Sequence, residues 1–169
     1  MNYYIYVRST SCFLVLLALA TLGGCYSGSR PSRIGSPAPD FMVQDADRRI
    51  ALRDFAGKIV VLNFWATWCA PCVEELPTLM QLQQRLQQKG VTVIGVSVDA
   101  DADVYHRFLK EHNIDFLTVR DPDQKANNLY GTFKFPETYI IDRKGIVRRK
   151  FIGAVDWTQP EIVNFLTEL

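Results

Sequence analysis

Two cysteines three positions apart mark the point where one periodicity gives way to another. Residues 68–72 read Trp68-Cys69-Ala70-Pro71-Cys72. Before them runs the nearly continuous apolar stretch Ile59 to Trp65, and from about Val73 onward apolar residues recur at helical spacing. A strand that feeds a helix in this way puts the pair in the first helical turn. There, positions i and i+3 are neighbours and two sulfurs can close a very small disulfide ring. The same turn carries unpaired N–H groups and the positive end of the helix dipole, which stabilise the first sulfur as a thiolate. Pro71 suits the turn, because it removes only an N–H that would have had no partner. The pattern is that of a redox switch whose sole redox group is the Cys69–Cys72 pair, with no added cofactor.

Other uses of the pair fail by counting. The chain has four cysteines, and Cys12 and Cys25 lie in or at the end of an N-terminal apolar segment. A structural zinc site needs four ligands. Only His106 and His112 remain, six apart and so not on one helix face, where a solvated helix accounts for both. No metal site is expected, and an extracytoplasmic metal carrier using Cys69 and Cys72 is the non-enzymatic alternative. A purely structural disulfide across so short a ring would restrain the unfolded chain very little.

Arg8 is the only charged residue before residue 30. Behind it come the apolar run Cys12 to Ala20 and then Thr21-Leu22-Gly23-Gly24-Cys25. A short basic region, an apolar core and small residues at the end describe a secretory signal over residues 1–24. The core is too short for the roughly 20 residues of a spanning helix. Leu22-Gly23-Gly24-Cys25 resembles the bacterial lipobox, which implies lipidation at Cys25 and a lipid-anchored bacterial lipoprotein held at a membrane outside the cytoplasm. Residues 25–39, rich in Ser, Gly, Pro and Arg, read as a flexible tether spanning on the order of 20 Å. From Cys25 onward, the nineteen basic side chains less Arg8 balance the eighteen acids. With no basic stripe there is no footprint for nucleic acid. What remains, residues 40–169, is enough for one domain with a single core, expected to be monomeric.

Within that domain, Phe41–Gln44 and Arg49–Leu52 flank residues 45–48 as a hairpin. Lys58–Ala66 and Val91–Val98 are apolar enough for central strands covered on both faces. The spacing predicts a helix over Val73–Lys89, kinked at Pro77 and ended by Gly90. Further elements follow: a helix near Asp103–Glu111, a strand at Phe116–Val119 and a short helix near Gln124–Tyr130. A second hairpin pairs Glu137–Asp142 with Ile146–Ile152 around residues 143–145. Thr158-Gln159-Pro160-Glu161 reads as a capping box opening a last helix, with Ile162, Val163, Phe165, Leu166 and Leu169 on its buried side. Strands alternating with helices, then a hairpin and a helix, describe an α/β sandwich.

This order, with Trp-Cys-x-x-Cys after the first central strand, resembles the thioredoxin fold: a central mixed sheet, an N-terminal β-hairpin and an inserted helix–strand unit between Asp99 and Val119. Thr132-Phe133-Lys134-Phe135-Pro136-Glu137-Thr138 resembles that fold's cis-proline loop, which faces the cysteines. Four further stretches resemble the extracytoplasmic TlpA/ResA/CcmG-like thiol-disulfide oxidoreductases. They are Gly35–Phe41, Leu52–Lys58, Val61–Cys69 and Pro136–Asp142. The resemblance implies that Cys69 attacks a substrate disulfide and Cys72 resolves the mixed disulfide. It implies a cis Pro136 and substrate contact through Trp68, Phe135 and Glu137. It also implies partners: a disulfide-bearing exported protein, as in cytochrome c maturation, and a transmembrane electron donor of the DsbD/CcdA type.

Where thioredoxin keeps a buried aspartate beneath the cysteines, this chain has Asn63, which cannot titrate. In the ResA-like group a glutamate three residues after the second cysteine is the proton acceptor, and that position is Glu75. The spacing supports it independently. Glu75 shares a helix side with Leu79, Leu82 and Leu86 and stands at i+3 from Cys72, whereas Glu74 lines up with Thr78, Gln81 and Arg85. A carboxylate on the buried side loses hydration, so its pKa rises toward that of a useful base. The alternative enzyme is a thiol peroxidase of peroxiredoxin type. Its Pro-x-x-x-Thr-x-x-Cys pattern, aligned on Cys69, meets Leu62 and Ala66 in place of the proline and threonine.

Overall fold

The computed structural model describes residues 34–46 and 48–169. The residues read as an export segment, the expected lipidation site Cys25 and the expected tether as far as residue 33 lie outside the described residues. Five strands form the central sheet in the order β5-β4-β3-β6-β7. They are β3 (Ile59–Trp65), β4 (Val91–Ser97), β5 (Leu117–Arg120), β6 (Glu137–Ile141) and β7 (Val147–Ile152). β3, β4 and β5 run parallel, and β6 and β7 are antiparallel to their neighbours. The N-terminal hairpin of β1 (Met42–Asp45) and β2 (Arg48–Ala51) forms a sheet of its own. It is clasped to the β5 edge by a forked Arg120–Asp45 ion pair at 2.9 Å, whose hydrogen bonds hold the Asp45 carboxyl below the usual carboxylate range. The thioredoxin arrangement expected from the resemblance is present, inserted helix and strand included.

Alternation along β3 decides what each face of the sheet buries. Val60, Leu62 and Phe64 join Ile94, Tyr139 and Ile141 on one face. Val61 and Trp65 join Leu76, Leu79, Ile140 and Trp157 on the other. That second face is covered by α1 (Ala70–Leu86), α2 (Ala102–Glu111) and α4 (Pro160–Thr167); α3 (Lys125–Tyr130) covers the first. Every residue of β3 and β4 is buried, as their apolar runs require. Gly95 of β4 lets the Trp65 indole cross the strand, since a Cβ there would stand 2.9 Å from its Nε1.

Some details differ from expectation. The first helix begins at Ala70 rather than Val73, because Cys69 is its N-cap and Pro71 occupies the first turn. Pro77, where a kink is expected, lies inside the unbroken α1; the proline is on the solvated side, where water can take the carbonyl it leaves unbonded. The helix gives way at Leu86 to a single 3₁₀ turn, Gln87–Lys89, and Gly90 (φ 81°) ends it. The capping box does not form. Gln159 caps α4 without a side-chain bond, and the Thr158 hydroxyl donates instead to Asp156 at 2.5 Å. Residues before 40 also bond to the domain: Gly35 and Ala38 donate to Val147 and Gly145 carbonyls, both at 2.8 Å.

Candidate active site

β3 ends at Trp65, and four residues later the chain turns into α1 through Cys69. Cys69 and Cys72 are joined in a disulfide with their Cα atoms 5.2 Å apart. The Cys72 N–H donates to Cys69 Sγ at 3.3 Å. When the bond is open, that N–H and the helix N-terminus both stabilise negative charge on the first sulfur. The second sulfur is the more enclosed: Cys69 is 7% exposed and Cys72 1%.

Around the pair the surface is aromatic. Trp68 is 66% exposed and meets Phe135 edge-on, ring centroids 6.1 Å apart. Phe133, two residues before Phe135 on the same loop, is also exposed. It was not marked by the sequence beyond its place in the motif. The Phe135–Pro136 peptide bond is cis, and the Pro136 carbonyl accepts from Gly153 N–H at 2.8 Å.

On the buried side of α1 lies Glu75, 3% exposed. Its Oε1 accepts from Asn63 Nδ2 at 2.7 Å; its Oε2 accepts from the Val155 N–H at 3.0 Å and Trp157 Nε1 at 3.2 Å. Burial outweighs these three donors and pushes its pKa up to about 7. Glu74 is exposed, as the helix faces require. A cleft of about 180 Å³ is lined by Glu74, Glu75, Thr78, Val155 and Asp156. Asn63 also donates to Thr138 Oγ1 at 2.8 Å, which links the carboxyl to the strand behind Pro136. Its Oδ1 is buried with no partner among the described residues. Turning the amide over presents that oxygen to a protonated Glu75, so one neutral side chain serves both protonation states.

Glu137 does not face a substrate. Its side chain is fully buried. It accepts from Tyr139 OH, from Thr132 Oγ1 at 2.9 Å and from Lys150 Nζ at 2.7 Å. Sheet alternation places it on the face of Tyr139 and Ile141, away from Glu75. The carboxyl braces the Thr132–Pro136 loop against β6 and β7.

Asp99 is a residue that no local sequence signal marks. Its buried carboxylate accepts from the Thr67 N–H at 3.0 Å, Thr67 Oγ1 at 2.6 Å and Ser97 Oγ at 2.5 Å. It therefore holds the loop that carries Trp68 and Cys69. Asp99→Ala leaves the Thr67 and Ser97 donors without a partner and is expected to cost about 2–3 kcal/mol, measured by urea denaturation. Ser97→Ala, which removes one of the three donors, should cost about 1 kcal/mol.

Residues 34–150 match the AhpC/TSA family. The chain is 34% identical over 162 residues to the thiol-disulfide oxidoreductase ResA of Geobacillus thermodenitrificans, covering 92% of each chain. It is 32% identical over 147 residues to ResA of Bacillus anthracis, covering 86% of this chain and 84% of that one. Among solved structures it resembles a thiol:disulfide interchange protein of the thioredoxin family from Chlorobium tepidum. That match has a TM-score of 0.68 and 28% identity, over 82% of this chain and 97% of the other. A secreted thiol-disulfide isomerase from Corynebacterium glutamicum superposes with a TM-score of 0.69 at 26% identity, over 78% and 86%.

Proposed function

The chain belongs to the AhpC/TSA family and is a thiol-disulfide oxidoreductase; from that premise we propose that it is a lipid-anchored reductant of disulfides in exported proteins. The observation that carries this reading is the pairing of a helix-capping Cys69 sulfur with a buried Glu75 of near-neutral pKa on the same helix.

In the reduced enzyme the Cys69 thiolate attacks one sulfur of a substrate disulfide. A mixed disulfide forms and the other substrate sulfur leaves as thiolate. Glu75 takes the proton of the Cys72 thiol. Cys72 then attacks Cys69 Sγ, the second substrate thiolate leaves, and two electrons have passed to the substrate. The enzyme ends with Cys69 and Cys72 joined. Trp68, Phe133 and Phe135 supply an apolar platform for a polypeptide, and Pro136 flanks the sulfurs. A membrane carrier of the DsbD/CcdA type restores the dithiol, and haem-site thiols of apocytochrome c are one substrate class of suitable chemistry. The lipobox-like Leu22–Cys25 and the short tether support an extracytoplasmic site of action. Peroxidase chemistry has no support at Leu62 and Ala66, both buried and neither with a hydroxyl.

Direction follows from the dipeptide between the cysteines. Ala70-Pro71 adds no positive group, so the thiolate is only weakly stabilised and the dithiol is a good electron donor. Equilibration with a dithiothreitol couple is expected to give a reduction potential near thioredoxin's, about −270 mV. A value above about −180 mV would make the protein an oxidase or isomerase.

A further inference from the structure

The end of the sheet opposite the disulfide is basic, although the chain beyond its export segment is balanced in charge. Three turns meet there: the one before β3, the one before β4 and the one between β6 and β7. Arg143 ties them together, donating to the Gly57 carbonyl at 3.1 Å and the Lys89 carbonyl at 3.0 Å. Lys58, Lys89, Arg143 and Lys144 are all exposed. Among the described residues none of the four forms an ion pair.

Three acids that flank these turns are already engaged. Asp40 pairs with Arg53 at 2.8 Å, Asp54 with Arg49 at 3.2 Å and Asp142 with Arg148 at 2.6 Å. Between the turns lies a cleft of about 370 Å³, floored by Leu52, Phe55, Val60 and Ile141. At the disulfide end Glu74, Asp101 and Asp156 are exposed and without ion pairs among the described residues, against one such lysine, Lys134.

The N-terminal chain joins the domain at this basic end, bonded through residues 35–38 to the turn between β6 and β7. Cys25 and Ile34 are nine positions apart, a separation that a coil would span in about 17 Å. On the reading that Cys25 is lipidated, the basic end is held within about two Debye lengths of the bilayer. We propose that this end docks on an anionic phospholipid surface, with Lys58, Lys89, Arg143 and Lys144 among the headgroup phosphates. The inference rests on the tether of the proposed function and adds an orientation to it. Seven residues of β3 at about 3.3 Å each then hold Cys69 on the order of 20 Å above the headgroups, facing away from the membrane toward incoming polypeptides.

The test uses the lipidated full chain reconstituted on vesicles of phosphatidylcholine alone or with a third phosphatidylglycerol. Amine acetylation is read lysine by lysine by mass spectrometry. Lys58, Lys89 and Lys144 should react at least about fivefold more slowly on the anionic vesicles, while Lys125 and Lys134, outside this end, stay unchanged. Salt at about 1 M, where the Debye length falls to 3 Å, should restore the rates. Equal rates on the two vesicle types would overturn the proposal. So would protection of the same size on neutral vesicles, which would mean that the tether or a second copy covers the face. The tether is read separately, from retention on neutral vesicles that the Cys25→Ala chain lacks. Without such retention the lipidation reading fails, and salt-labile protection on anionic vesicles would still support the basic face.

Discussion

Cys69→Ser is expected to abolish disulfide reduction, and Cys72→Ser to accumulate covalent adducts with its substrates. A serine hydroxyl is not ionised near neutral pH and does not attack a disulfide, so the Cys69 variant should fall at least about 10³-fold, to background. The roles divide by position. Cys69 caps α1, receives the Cys72 N–H and keeps part of its surface in solvent, whereas Cys72 is enclosed beneath the first turn. An incoming disulfide therefore meets the Cys69 sulfur first, beside the exposed Trp68 ring and the half-buried Phe135. With serine at position 72 the second displacement has no nucleophile, and the mixed disulfide persists. Insulin reduction assays measure the first loss. Non-reducing gels and mass spectrometry of adducts from cells measure the second and identify the attached protein. If Cys72 were alkylated first at neutral pH, with Cys69 inert, the two roles would be reversed.

The strand–helix junction was legible because two periodicities meet at one short motif, and no distant contact is needed to see it. Glu75 was legible for a related reason: helix geometry alone separates it from Glu74, and solvent exposure follows. What escaped depends on contacts between distant segments. Asp99 reaches Thr67 across 32 residues, and only the pairing of β3 with β4 brings them together. Phe133 became visible only when the loop before Pro136 was seen to leave its ring in solvent. Glu137 is different, because a signal was present. Strand alternation puts it with Tyr139 and Ile141 on a buried face, and Lys150 lies opposite Tyr139 in the β6–β7 register. A motif read as a substrate loop hid a strand rule that already buried the acid. The capping box failed for a local reason, since Asp156 lies two residues from Thr158 and captures its hydroxyl first.

Glu75→Gln should slow turnover about 10²-fold at neutral pH and flatten the pH dependence of both rate and stability, while Glu74→Gln changes little. The carboxyl titrates near 7 in the folded protein against 4.5 without the fold, because burial disfavours its charge. Below 4.5 the group is protonated in both states. Between 4.5 and 7 only the folded state keeps the proton, so its stabilising contribution is lost as pH rises. The shift corresponds to about 3 kcal/mol less unfolding free energy at pH 8 than at pH 4 from this group. Glutamine resembles the neutral acid at every pH. Its Oε1 can accept from Val155 and Trp157, and its amide can donate to a turned Asn63. The variant should therefore match the wild type in urea at pH 4 and exceed it by up to about 3 kcal/mol at pH 8. The rate moves the opposite way. A base with a pKa near 7 is half ionised at neutral pH, so the wild-type rate should climb through pH 7, and that limb should vanish with glutamine. Parallel pH profiles for the two proteins would assign Glu75 a purely structural place, and equal losses from Glu74→Gln would remove the distinction between the helix faces.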